Sequence, residues 1–270
     1  MKRNKKTVLL IAAGLLVLGT CLATAAVAIG GVEVLQKGVT IDFGRSGLHV
    51  LSFGDGHLGL FQSERPDSQQ PSKDGKYDSA EGAYDRIEVQ TIARDIEVTR
   101  SEDEAVHVTY PESSEARYEI TDRDGTFKVA PVPSVRDESS GTLRIAVPRA
   151  FAGELDLSSV SGSVSVCAFD TLDELSCETV SGTITLEALT AEEVDCETVS
   201  GKVQFESLAA SEVSFSAVSG DITGTLRGAA ESWSIQTSTV SGNLPQARTG
   251  GTHRLSLETI SGDASLSFAD

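Results

Sequence analysis

The chain has 270 residues, with one Trp, four Tyr, nine Phe and 25 Gly, and carries a formal charge of −18. Residues 1–32 contribute four basic side chains and no acidic one, so the remainder sets 18 positive against 40 negative charges, a balance of −22. Such a surface repels phosphate backbones and anionic membranes, which excludes nucleic-acid binding.

Basic Met1–Lys6 precedes an uncharged run from Thr7 to Val32. A helix over that run spans a hydrocarbon core of ~30 Å. The basic tip, residues 1–6, places the N-terminus in the cytoplasm, with residues 7–32 as a single-pass anchor and the bulk outside the cell. Ala26-Val27-Ala28 leaves a cleaved signal peptide as the competing reading, although the apolar stretch exceeds the usual signal core. Cys21 would suit lipid modification better if Thr20 were Gly or Ala. Each reading exports the rest of the chain.

Residues 33–83 read as a Gly-rich juxtamembrane segment followed by a disordered stalk of Ser, Gln, Pro, Asp, Lys and Gly. Within it, Gly54-Asp-Gly56-His-Leu-Gly59 matches a dinucleotide-binding pattern. That chemistry needs a helix starting at the turn, and Gln62–Pro66 supports none, so a Gly-rich turn is expected.

Alternating strands begin at Tyr84: Ile87-Glu-Val89, Ile96-Glu-Val98, Val106-His-Val108 and Leu143–Val147. Asp122-Arg-Asp124-Gly125 predicts a hairpin turn between Tyr118 and Val129. The two aspartates lack the further oxygen ligands of a calcium loop. His49, His57, His107 and His253 form no ligand pair at metal-binding spacing.

Over 151–270 a short motif recurs six times. Its Ser-Gly pairs are Ser161-Gly162, Ser181-Gly182, Ser200-Gly201, Ser219-Gly220, Ser241-Gly242 and Ser261-Gly262, spaced 20, 19, 19, 22 and 20 residues apart. Apolar columns stand seven residues before each glycine (Leu155, Leu175, Val194, Val213, Ile235, Leu255), two before (Val160, Val180, Val199, Val218, Val240, Ile260) and two after. The column four after holds Val166, Leu186, Phe205 and Leu266 but slackens at Gly224 and Gln246. Each unit therefore reads as strand, Ser-Gly turn, strand and acidic return loop. No 20-residue unit can bury its own face, so the units must stack at ~4.8 Å. The expected fold is all-β: a parallel β-solenoid behind one N-terminal transmembrane helix, with a β-sandwich as runner-up. The glycines are expected to supply positive φ, and the turn serines to bond along the stack. Ile87, Val89, Ile92, Ile96 and Val98 fall on the same template, with Ala93-Arg94 replacing Ser-Gly, so 84–150 is an irregular first part of the same body.

Tyr84–Val89, Ile92–Val98, Leu143–Pro148 and the Val-Ser-Gly units together resemble the bacterial "putative adhesin" domain family of unknown function, which includes LiaG-like membrane-anchored envelope proteins. The resemblance covers residues 84–270 and implies a β-helical ectodomain on a Gram-positive-type surface. It also implies a role in adhesion or beside an envelope-stress signalling system.

No catalytic, cofactor or metal site is expected. The Glu178, Glu197, Glu258 column is interrupted by Ser158, Ser216 and Ser238 and lacks a converging base, which argues against a polysaccharide-acting enzyme. A hydroxyl repeated six times is scaffold rather than nucleophile. Leu244-Pro245 lacks a contiguous sorting signal, and Trp233 shares the phase of Ile235 and belongs to the core or an edge plug. Cys177 and Cys196 occupy one apolar column, so buried thiols are expected over a disulfide, while Cys167 faces outward. Ala264, Leu266 and Phe268 lie on the last predicted strand, with no polar cap after it. They are expected to form an association edge for a homo-oligomer or a partner strand, beside an unknown surface ligand, with Phe268 and the final Ala-Asp folding over the end as the competing reading.

Overall fold

The computed structural model describes residues 41–42, 49–50, 52–54, 57–59, 75–79, 83–110, 118–132 and 141–269. The expected anchor, residues 7–32, lies outside the described residues, among which no helix is long and apolar enough to cross a membrane. Two short antiparallel pairs come first: β1 (Ile41–Asp42) with β2 (His49–Val50), and β3 (Ser52–Gly54) with β4 (His57–Gly59). Gly54 and Gly59 of the glycine motif thus lie on paired strands.

All other strands form one curled, mixed sheet. It contains β5 (Lys76–Asp78), β6 (Arg86–Thr91), β7 (Asp95–Arg100), β8 (His107–Thr109), β9 (Tyr118–Arg123), β10 (Thr126–Pro131) and β11 (Thr142–Val147). From the repeats come β12 (Glu154–Ser159), β13 (Val164–Val166), β14 (Glu174–Thr179), β15 (Ile184–Ser200), β16 (Val203–Ser219), β17 (Ile222–Arg227), β18 (Trp233–Ser241), β19 (His253–Ser261) and β20 (Ala264–Ala269). The all-β expectation holds. The sheet is not parallel throughout, because β5–β8, β8–β11 and β9–β10 pair antiparallel. At this end, short turns such as Asp124-Gly125 (φ 51° and 77°) fold strands straight back on their neighbours.

The repeats themselves pair in parallel, at the predicted register. Leu155, Leu175, Val194 and Val213 stack in line, and Ile87 joins them across β6–β12. Val164, Ile184, Val203 and Ile222 form a second ladder, which Ile96 extends. Both ladders are fully buried.

Six expectations need correction. The sheet begins at Lys76 rather than 84, since Tyr77 packs 5.8 Å from Phe127 and draws β5 onto β8 out of the predicted stalk. The return segments are a third ladder rather than loops: Leu189 pairs with Leu208 and Ala191 with Ala210, and both leucines are buried. The column two before each glycine (Val160 to Ile260) points outward, half-exposed, instead of into the core.

The glycines are not there chiefly for positive φ. Among the six repeat glycines only Gly242 and Gly262 have it, at 137° and 156°. A Cβ at Gly162 would meet the Arg94 carbonyl oxygen at 1.9 Å, and at Gly182, Gly201 and Gly220 the carbonyl oxygen of the preceding unit's glycine at 1.7–2.0 Å. Coil-on-coil approach, not turn geometry, demands glycine here. Likewise the turn serines Ser161, Ser181, Ser200, Ser219, Ser241 and Ser261 are exposed, although Ser161 Oγ donates to Ile92 O. The buried hydroxyls sit three residues before glycine. Ser159 Oγ accepts from Gly162 N at 2.9 Å, and Thr179 Oγ1 accepts from Gly182 N at 3.1 Å while donating to Gly162 O.

The last two units exchange places. β19 lies between β16 and β18, so the spatial order ends fourth, sixth, fifth. After Gly242 the fifth unit makes no second ladder strand, and Arg248 instead turns back to pair antiparallel with Ile235. At Gly251 the chain crosses so near Trp233 that a Cβ would lie 2.4 Å from its carbonyl carbon. The slackened Gln246 position marks this departure.

Candidate functional site

Two regions present chemistry beyond folding. The first is the outer face built by β6, β12, β14, β15, β16, β19 and β18. Alternation turns every second side chain of these strands away from the core, and parallel register lines them into columns. The outermost column reads Arg86, Glu154, Glu174, Glu193, Glu212, Arg254, Ser234; the next reads Glu88, Asp156, Ser176, Asp195, Ser214, Ser256, Gln236. The third holds Gln90, Ser158, Glu178, Glu197, Ser216, Glu258 and Ser238.

Cations stand at the ends of this face. Arg86 bridges Glu88 at 3.1 Å, Glu154 at 3.1 Å and Asp156 at 2.5 Å; Lys128 reaches Glu88 at 2.6 Å, and Arg254 reaches Glu212 at 3.2 Å. The centre holds Glu174, Glu178, Glu193, Asp195 and Glu197, with Ser176 among them and no cation. Burial, then the charges of Glu197, Asp195 and Asp156, pushes Glu178 up to about 7. Burial, then Glu197 and Glu193, does the same to Asp195, also to about 7. Glu197 rises through burial and Glu258. Among the described residues no group of His, Cys, Asp and Glu is arranged to hold a metal ion.

The second region is the end formed by β18 and β20. Among the described residues each is paired on one side only, β18 with β19 and β20 with β17, apart from the Ile235–Arg248 bridge and an Ala264 N–H donated to Asn243 O. Ala264, Leu266 and Phe268 are half-buried and pack on the core, with the Arg248 guanidinium 5.9 Å from the Phe268 ring. Trp233 plugs this end from within: it is fully buried, its Nε1 donates to Arg227 O at 3.0 Å, and its ring lies 5.0 Å from that of His253.

Cys177 and Cys196 face each other across β14–β15 as buried free thiols. Cys167 is half-buried, and burial raises its thiol pKa. At the opposite end His107 lies between Asp78 (2.7 Å) and Asp103 (2.8 Å). Those hydrogen bonds raise the imidazole pKa against partial burial.

The fold is similar to solved structures from several bacteria. A "putative adhesin" of Bacteroides fragilis is 16% identical, with 72% of this chain and 95% of that one aligned at a TM-score of 0.43. A "putative cell adhesion protein" of Clostridium sporogenes is 10% identical over 75% and 99% of the two chains, at 0.38. A "putative lipid binding protein" of Parabacteroides distasonis is 17% identical over 72% and 92%, at 0.33. No curated protein matches the chain. Residues 84–270 match the family described as Toastrack DUF4097, well over half of the sequence, and the chain belongs to that family.

Proposed function

We propose that this is a membrane-anchored, cell-surface β-solenoid that works by binding and assembly rather than catalysis, displayed outside the cell by residues 7–32. The observation that carries the reading is an asymmetry between the two ends of the sheet. At the first end the outer strands bear charge: Lys76 and Asp78 on β5, and Glu119, Asp122 and Arg123 on β9. Natural sheets protect open edges with such groups. At the other end β18 (WSIQTSTVS) and β20 (ASLSFA) carry no charged residue and no proline. Their unpaired backbone groups form a template for strand addition by a second copy or a partner strand. The repeated polar columns support the non-catalytic part, since the same hydroxyls and carboxylates recur coil after coil instead of converging once.

The test is sedimentation of the full chain in detergent, beside a Gln236→Lys, Ser265→Lys variant whose substituted side chains are both exposed. Concentration-dependent association that the lysines abolish supports the reading. A wild-type chain that stays monomeric at high micromolar concentration and captures no edge-strand peptide removes it.

A further inference from the structure

One wholly apolar column of the repeat is on the outside. Ile92, Val160, Val180, Val199, Val218 and Ile260 are half-exposed, and Val240, at 54%, is the exposed large hydrophobic residue among the described ones. Their backbones stack directly: Ser161 N donates to Ile92 O, Ser181 N to Val160 O, and Ser200 N to Val180 O. None of the seven belongs to the buried core. Seven β-branched side chains at the strand spacing make a continuous apolar stripe about 29 Å long.

Its borders are charged. One strand pair of residues away, about 7 Å, runs the column with Glu178, Glu197 and Glu258, and beyond it the column with Asp156 and Asp195. Past the exposed serines the other border is mixed: Asp95, Ser163, Thr183, Lys202, Asp221, Asn243 and Asp263, with Lys202 paired to Asp221 at 3.5 Å. Carboxylates therefore concentrate on the side of Glu178, Glu197 and Glu258 and are scattered along the other.

We infer that this stripe and its flanking carboxylates form a docking surface for a cationic amphipathic helix about 20 residues long. The length follows from 1.5 Å per residue against the 29 Å stripe. Apolar side chains of the helix would cover the valines, and lysines or arginines on its flanks would reach Glu178, Glu197 and Glu258. A second copy of this chain would set carboxylate columns against carboxylate columns, so charge complementarity selects a basic partner. The crowded carboxylates Glu178 and Asp195 are the groups a basic partner relieves most. This surface is lateral and independent of the open end described above.

The test is fluorescence anisotropy of a labelled 20-residue Leu/Lys amphipathic helix against the full chain in zwitterionic nanodiscs, with empty nanodiscs subtracted. A scrambled peptide of equal composition is the control. Two double variants are compared after thermal melting confirms their fold: Val199→Ser, Val218→Ser in the stripe, and Glu178→Gln, Glu197→Gln beside it. Expected are saturable binding, preference over the scrambled peptide, and at least tenfold weaker affinity for each variant. Equal affinity for the stripe variant, or for the scrambled peptide, would mean diffuse attraction to an acidic surface and would overturn the inference. So would absent binding, or wild-type self-association that the valine substitutions abolish, which would make the stripe a self-interface.

Discussion

Replacing Gly201 by Ala tests the claim that glycine is set by stacking rather than by turn geometry. The new Cβ would sit 1.8 Å from Gly182 O and 2.9 Å from Thr198 Oγ1, where ordinary contact begins at 3.4 Å. The obstacle on the first side is backbone, so no rotamer change relieves it. The third unit must lift away from the second by more than an ångström at the turn. That movement breaks local ladder bonds such as Ser200 N to Val180 O (2.8 Å) and strains Ile184 N to Lys202 O (2.8 Å). Losing two or three backbone hydrogen bonds with their groups still partly buried costs ~3–5 kcal/mol. The reduced freedom of alanine in the unfolded chain returns less than ~1 kcal/mol. Two comparators isolate the cause. Ser200→Ala removes an exposed side chain and should change stability by less than ~0.5 kcal/mol. Gly250 has φ 104° with nothing within 4 Å of a new Cβ, so Gly250→Ala carries conformational strain alone, ~1–2 kcal/mol. Urea unfolding followed by far-ultraviolet circular dichroism reads all three. If Gly201→Ala loses no more than Gly250→Ala, the stacking explanation is wrong.

The carboxylate face should make the protein more stable in mild acid. Glu178 and Asp195 have folded pKa values of about 7, above their unfolded ones, so their contribution is complete below pH ~4 and is lost as pH rises through about 7. Glu178→Gln with Asp195→Asn should flatten the decline between pH 4.5 and 8 and gain ~1–2 kcal/mol per substitution at pH 8; thermal melts showing an unchanged slope would refute this. The His107 clip has a bounded window. The raised imidazole pKa loses its support as pH rises through it, and Asp103, drawn down to about 2 by hydrogen bonds from Ser101 and His107, loses its own as pH falls toward that value. Protection of the Ser79 and Val106 amides, their exchange relative to that of an unfolded chain at the same pH, should therefore be greatest in between, and His107→Gln should lower it several-fold across the window. In the core, a Cβ at Gly224 would overlap the Phe205 ring at 2.4–2.5 Å. Gly224→Ala should cost ~1–3 kcal/mol, and adding Phe205→Leu should recover part of it, a coupling readable in a double-mutant cycle.

Much of the core was legible because stacking forces identical columns onto identical places. Leu155 to Leu255 and Val164 to Ile222 could be assigned by lining up six glycines, and Ile87 and Ile96 followed from the same frame. The valine column misled for a reason of parity. Val180 is five residues from Leu175, an odd number, so strand alternation puts the two on opposite sides of the sheet. Apolarity suggested the interior and periodicity the exterior, and periodicity prevailed. The third ladder was hidden by composition: in Leu189-Thr-Ala-Glu-Glu193 only Leu189 and Ala191 point inward, and acids dominate the rest. The swap of the last two units depends on where the chain travels between Gly242 and His253. No column analysis records a path, although the Leu-Pro at 244–245 and the missing hydrophobe at Gln246 mark where the ladder fails.

The acidic face is not a by-product of folding. Within one column the stack accepts Asp156, Ser176, Asp195, Ser214 and Ser256 at equivalent positions in register. Serine therefore fits every slot that aspartate occupies, and the neighbouring column accepts Ser158 and Ser216 where Glu178 and Glu197 stand. A rod with serine throughout would stack as well and would avoid the mutual repulsion and desolvation that lift Glu178 and Asp195. Folding alone thus supplies no reason to concentrate five carboxylates at the centre of this face, or to leave a line of valines uncovered beside them. A surface that lowers stability in this way is explained if a partner removes the penalty on binding. Neutralising the central glutamates should accordingly raise the stability of the free protein and lower its affinity for a cationic amphipathic helix, and a substitution that raised or lowered both would break that argument.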